Sequence, residues 1–323
     1  MTVVAVVPTI AGRFHIPSLL AAQLQSPRIV RLHAALDDIV LPGTRIEKVP
    51  AEVRRLAEGP LWTRDGALLF SDIAANVISR LSQGRTSVYL TRAGYDGEPP
   101  DGGTMVGSNG LTFDREGRLI VCERGNRRVA RRDSTGLTVL ADSYRGTRLT
   151  RPNDVIVKRD GTIYFTDMCT DCTPDLPFQG IFRIAGGELH VAAEMPFPNG
   201  LAFSPDERYL YVSNSDPRRK VWMRFSVRPD GTLGEPEVFF DATDTPGGVP
   251  DGLKTDVAGN VYATGTGGVW VLSPKGVALG RIELPEGAVN VAWGDDDGST
   301  LYITGRAIYR VRLSVAGPRP CCS

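Results

Sequence analysis

Residues 198–216 read PNGLAFSPDERYLYVSNSD. Two apolar runs, LAF and YLYV, flank the turn formers Pro205, Asp206 and Glu207, the pattern of two antiparallel strands joined by a tight turn. Asn199 stands at the entrance to the first strand. From about Ile46 onward the unit recurs, with turns at Asp65-Gly66, Glu116-Gly117, Asp160-Gly161, Asp206-Glu207, Gly259-Asn260 and Asp297-Gly298. Each unit also carries a polar residue just ahead of its first strand: Glu58, Asn109, Asn153, Asn199, Asp251 and Asn290.

These six markers lie 51, 44, 46, 52 and 39 residues apart. Periods of about 40 to 50 residues with about four strands per unit are those of propeller blades, because one small sheet cannot bury both faces until neighbours pack on it. Six markers predict an all-β, six-bladed β-propeller. The last repeat shows only three strands, NVAWG, TLYIT and AIYRVRL, while TRIEKV at residues 44–49 precedes the first repeat. That N-terminal strand is expected to complete the last blade and remove the open seam. The expected organisation is an N-terminal extension over 1–43, with SLLAAQLQ as a short helix, one propeller over 44–316 and a tail over 317–323.

Composition narrows the partners. The chain has 323 residues, 41% apolar and 23% charged, with 37 basic and 37 acidic side chains. No long-range field points to nucleic acid or an acidic membrane surface. No run approaches the roughly 20 apolar residues that span a bilayer. The start of the chain lacks a basic opening and carries Arg13 and two prolines, unlike a signal peptide, so a cytoplasmic protein with a small-molecule partner is expected. Nothing in the sequence indicates an oligomeric state. Of five cysteines, Cys169 and Cys172 form one C-x-x-C pair with neither a second pair nor a redox βαβ context, and they read as loop cysteines. His15, His33 and His190 stand in no motif, and neither a nucleophile elbow nor a glycine-rich phosphate loop is present.

In a propeller the innermost strands line a central channel, so residues at one phase of the repeat converge at one end of it. Here that phase supplies Glu, Asn, Asn, Asn, Asp and Asn. Any one of them could be a turn former. The tight turns, however, lie elsewhere in each unit, and six side-chain oxygen donors in phase make a hard-ligand cage for a divalent cation such as calcium, magnesium or manganese.

The motifs AEGPLW (57–62), NGLTFDREGRLIVCERGNRRVAR (109–131), RPNDVIVKRDGTIYFTD (151–167), FQGIFRI (178–184), PNGLAFSPDERYLYVSNSD (198–216), PDGLKTDVAGNVYATGTGGVWVLSP (250–274) and NVAWGDDDGSTLYIT (290–304) resemble the gluconolactonase, regucalcin (senescence marker protein) and luciferin-regenerating enzyme family. The resemblance covers about residues 44–312. It implies a six-bladed propeller with one catalytic divalent cation, often calcium, with manganese, magnesium or zinc as alternatives, and lactones of sugar acids as substrates of many members. It also implies that Glu58, Asn199 and Asp251 are metal ligands and that Asn153 is a fourth, direct or through water. Arg151 matches a substrate-contacting arginine of some members, and Asn109 and Asn290 match positions lining the channel, with substrate or supporting roles.

Two departures stand out. After FTD, where bacterial members usually continue Pro-Pro-Tyr-Gly, the chain has Met168-Cys169-Thr170-Asp171-Cys172. The family's frequent Cys-Glu-His-Gly is here Cys122-Glu123-Arg124-Gly125. That fixed cation either meets an anionic substrate or pairs with a carboxylate at the surface. The leading expectation is metal-assisted lactone hydrolysis with Asp251 as general base. Organophosphate hydrolysis on the same cation, and a non-enzymatic calcium-binding propeller, stay open.

Overall fold

At every expected turn one residue takes a positive φ: Gly66 (74°), Gly117 (78°), Gly161 (93°), Glu207 (56°), Gly259 (86°) and Gly298 (67°). The strands those turns join organise the chain. The computed structural model describes residues 26–98 and 105–318. Within them lie six antiparallel sheets of four strands in chain order, the fifth extended to five, plus a short Ser143–Tyr144/Thr147–Arg148 ribbon. The innermost strands are Ala57–Trp62, Ser108–Phe113, Pro152–Val157, Pro198–Phe203, Leu253–Thr255 and Asn290–Gly294. Each contacts the next around a closed circle, the sixth touching the first.

Ile46–Val49 pairs with Ile308–Arg312, Ile46 opposite Val311 and Val49 opposite Ile308, and so supplies the outer strand of the sixth sheet. The N-terminal strand closes the ring as expected. Packing tells the same story: six apolar clusters form, one at each junction between neighbouring sheets. Phe165 and Phe182 of the third sheet meet Ile120 and Val129 of the second, for example, and Ala292 and Tyr302 of the sixth meet Leu68 and Phe70 of the first. Each fully buried side chain of this size contributes about 1.5–3 kcal/mol. No sheet shields both faces without two neighbours.

The expected boundary at residue 43 does not mark the edge of the packed body. Arg28–Arg31 pairs with the outer strand Ala278–Glu283 as a fifth strand, and Leu36, Ile39 and Val40 are buried against the fifth and sixth sheets. Their apolar spacing was too short to read as an element. The expected helix at 18–25 lies outside the described residues, as does most of the 317–323 tail. Among the described residues no helix is long and apolar enough to cross a membrane.

Candidate metal centre

The markers sit where the inner strands change register. In the second, third and fourth sheets two residues, Asn109-Gly110, Asn153-Asp154 and Asn199-Gly200, face a single partner residue, and in the first sheet the shift follows Glu58. A bulge re-aims a side chain out of the pleat. The sixth sheet is regular at Asn290, which pairs directly with Thr304. The six positions are therefore in phase in sequence but not identical in geometry.

Glycine after a marker lets the next blade approach. A Cβ on Gly200 would lie 2.5 Å from the Asp251 carbonyl oxygen. A Cβ on Gly110 would lie 2.6 Å from Oδ1 of Asp154, so this glycine makes room for a carboxylate. Hydroxyls on the second strands then tie blades together. Ser71 donates to the Asn109 carbonyl (2.8 Å), Thr166 to Asn199 (2.7 Å), Ser213 to Asp251 (2.5 Å) and Thr264 to Val289 (2.7 Å). The second blade has Cys122 at this place, fully buried, its thiol pushed further up by burial and so unsuited to act as a nucleophile.

The side chains converge. Asn109 Nδ2 donates to Asn153 Oδ1 (2.7 Å), Asn153 Nδ2 to Asn199 Oδ1 (2.5 Å), and Asn199 Nδ2 to Ser215 Oγ (3.0 Å). Across the ring, Glu58 Oε2 accepts from Gly59 N (3.0 Å) and Asn290 Nδ2 (3.1 Å). Asn290 Nδ2 also lies 3.5 Å from Asp154 Oδ2, so the sixth and third blades meet over the axis. Asn290 Oδ1 is taken by the Val291 N–H (2.9 Å). Asp251 joins through charge. Burial first, then the charges of Glu58 and Asp154, hold its carboxyl well above the usual range. Burial and Asp154 likewise push Glu58 up to about 7.

This donor set fits a divalent cation. Two carboxylates and the amide oxygens of Asn153 and Asn199 are hard ligands, the Asn199 oxygen keeps a lone pair free while the Asn153 oxygen would exchange one of its two hydrogen bonds for the cation, and the crowded carboxylates are what a cation would relieve. Among the described residues no three His, Cys, Asp or Glu side chains gather as a metal cluster, so the asparagine oxygens would have to contribute.

A family model described as SMP-30/Gluconolactonase/LRE-like region matches residues 56–307. The chain belongs to this family. It is 32% identical over 316 residues to a gluconolactonase of Zymomonas mobilis subsp. mobilis, covering 90% of this chain and 87% of that protein. A 6-deoxy-6-sulfogluconolactonase of Pseudomonas putida is 31% identical over 268 residues, covering 77% of this chain and 82% of its own. Among solved structures, a gluconolactonase from Xanthomonas campestris superposes with a TM-score of 0.77 at 31% identity, covering 89% of this chain and 96% of that one.

Beside the ring lies a mouth. Arg151 is partly buried and ion-paired with Asp171, whose neighbours Cys169 and Cys172 are joined in a disulfide rather than standing as separate thiols. Buried Asp167 accepts the backbone N–H groups of Thr150 (2.8 Å) and Arg151 (2.6 Å), fixing the segment that carries both Arg151 and Asn153. Sequence reasoning missed Asp154, although a signal was there: it occupies the place where four blades have glycine. The row of Ser71, Thr166, Ser213 and Thr264 was equally readable as a repeat.

Proposed function

We propose that this protein is a lactonase, opening a small sugar-acid lactone with one divalent cation, calcium first, held by Glu58, Asn153, Asn199 and Asp251. The observation that carries the reading is the ring itself: buried and half-buried hard oxygen donors from separate blades meet at one end of the axis, in a family where two curated relatives, each matched over most of this chain, are lactonases by name. When bound, the cation would polarise the lactone carbonyl and lower the pKa of adjacent water.

The residues of the chain do the rest. Glu58, oriented by Gly59 N–H and Asn290 Nδ2, and Asp251, seated by its backbone bonds to Thr264 and Ser213, supply the anionic side of the ring. Asp251 takes the proton of the attacking water at a carboxylate oxygen. Arg151 at the mouth, with Asn109 and Asn290 on the channel wall, orients the substrate.

The test is pH-stat hydrolysis of five- and six-membered lactones by protein stripped with chelator and restored with calcium, manganese or zinc. Metal-restored turnover is expected. Tight metal binding without turnover of any lactone would overturn the reading and move attention to phosphotriesters or a structural cation.

A further inference from the structure

Arg124 is the side chain that the ring does not explain. It lies in the second blade, beyond the strand Leu119–Glu123, and its guanidinium reaches into the ring, with Nη1 3.3 Å from Asn153 Oδ1. Its Nε is buried and has no hydrogen-bond partner among the described residues, and the carboxylates of Asp171, Glu58 and Asp251 act on its charge without forming a direct ion pair with it. A guanidinium largely withdrawn from water with no direct carboxylate partner is costly, and arginine does not escape the cost by losing its proton.

The two arginines face a common space. Arg124, Arg127 and Arg151 line a cavity of about 250 Å3 together with Tyr95, Met105 and Val106. Arg127 is already satisfied by the Leu149 carbonyl and Asp175, and Arg151 by Asp171. Arg124 alone brings to the cavity a charge with no direct carboxylate partner, beside the ring. Of the two roles open to this residue from the sequence, pairing with a surface carboxylate is not what the structure shows.

We infer that Arg124 binds an anionic group on the substrate, so that the preferred lactones carry a negative charge, a carboxylate or sulfonate, at the end of the molecule remote from the reacting carbonyl. This rests on the lactonase reading and narrows it. A planar fork of N–H donors suits both anions. The rival is that Arg124 only balances the carboxylates Glu58, Asp154 and Asp251.

Matched substrates separate the two. With calcium-loaded protein, kcat/KM is measured for D-glucono-1,5-lactone against its 6-deoxy-6-sulfo derivative, and for D-glucono-1,4-lactone against D-glucaro-1,4-lactone. The wild type is expected to favour the charged member of at least one pair, and the pair that shows it identifies the anion. Arg124→Gln is expected to lower that charged-to-neutral ratio by roughly 10- to 100-fold, the worth of a hydrogen bond to a charged group. Arg124→Lys recovers part of it. Calorimetric titration with isethionate, an unreactive sulfonate, gives a readout independent of turnover, and its binding is expected to weaken in Arg124→Gln. No wild-type preference in either pair, or equal losses on both members of each pair, overturns the inference. If no lactone is turned over yet isethionate binding depends on Arg124, the anion site stands and the lactonase reading falls.

Discussion

Glu58, Asn109, Asn153 and Asn199 each enter the ring from the second residue of a repeated inner strand and Asn290 from the first residue of its own, whereas Arg124, Arg151 and the Cys169–Cys172 loop belong to single blades. The repeat makes the ring redundant in architecture, since every blade offers a bulge or strand end at the axis. The mouth has no such redundancy. Chemistry common to a family can therefore sit in the ring while selectivity is set by departures at its rim. The contrast also predicts where substitutions act: ring variants should abolish turnover, and mouth variants should redistribute it among substrates.

The largest effect tests the ring. Asp251→Asn and Glu58→Gln are each expected to lower kcat/KM on a hydrolysed lactone by about 1000-fold or more, with the melting profile retained. Calcium should raise the melting temperature of the wild type and raise it less in Glu58→Gln, because only a cation bound by the folded state stabilises it. Near-wild-type turnover of Asp251→Asn with metal still bound would take Asp251 out of the base role.

Much of the ring was legible because the repeat displays it. Turn residues, strand periods and the six polar markers are local features, and each recurs often enough to be checked against the others. The mouth was visible only as a pair of departures. Nothing local says whether Arg124 turns inward, since that depends on the Asn153 side chain 29 residues further on. Asp154 escaped notice for a related reason. An Asp after Asn suggests a turn, and its meaning emerges only when Gly110, one blade earlier, is seen to leave it space. Residues 28–40 were read as lying outside the ring because four-residue strands carry too little pattern to compete with loop.

Asp167 joins the two regions, and its effect should come next in size. Burial raises its carboxyl from the ordinary 3.8 to about 6 despite two backbone N–H groups that favour the charged form. A folded pKa above the unfolded one means that this group's contribution to stability is full below about pH 3.8 and is lost as pH rises through about 6. Two units correspond to roughly 3 kcal/mol. Denaturant unfolding from pH 3.5 to 7 should show that component of the slope in the wild type and lack it in Asp167→Asn. Equal slopes would mean that Asp167 is ionised in both states across this range.

The blade latches predict a smaller loss. Thr166→Val removes the donor to the Asn199 carbonyl and the acceptor of the Asp154 N–H (3.1 Å), at a fully buried position. A cost of about 1–3 kcal/mol is expected from urea unfolding. Thr166→Ser, which keeps the hydroxyl, should cost less than Thr166→Val. Calcium affinity should fall with the latch, because the same bonds seat Asn199 and Asp154. Unchanged affinity in a destabilised Thr166→Val protein would show that the ring holds its geometry without the latch.

At the small end lies the rim ion pair. Asp171 is 69% exposed and Arg151 only 24%, so the pair is solvent-screened on its acidic side. Exposed ion pairs contribute little to stability. Asp171→Asn should leave the melting temperature unchanged within error. It should free Arg151 toward the cavity, however, and a lower KM for an anionic lactone, by a few-fold, is the expected kinetic sign, with kcat nearly constant. The direction matters more than the size. If KM is untouched for charged and neutral lactones alike, Arg151 does not reach the substrate, and Arg124 is left to read the charge alone.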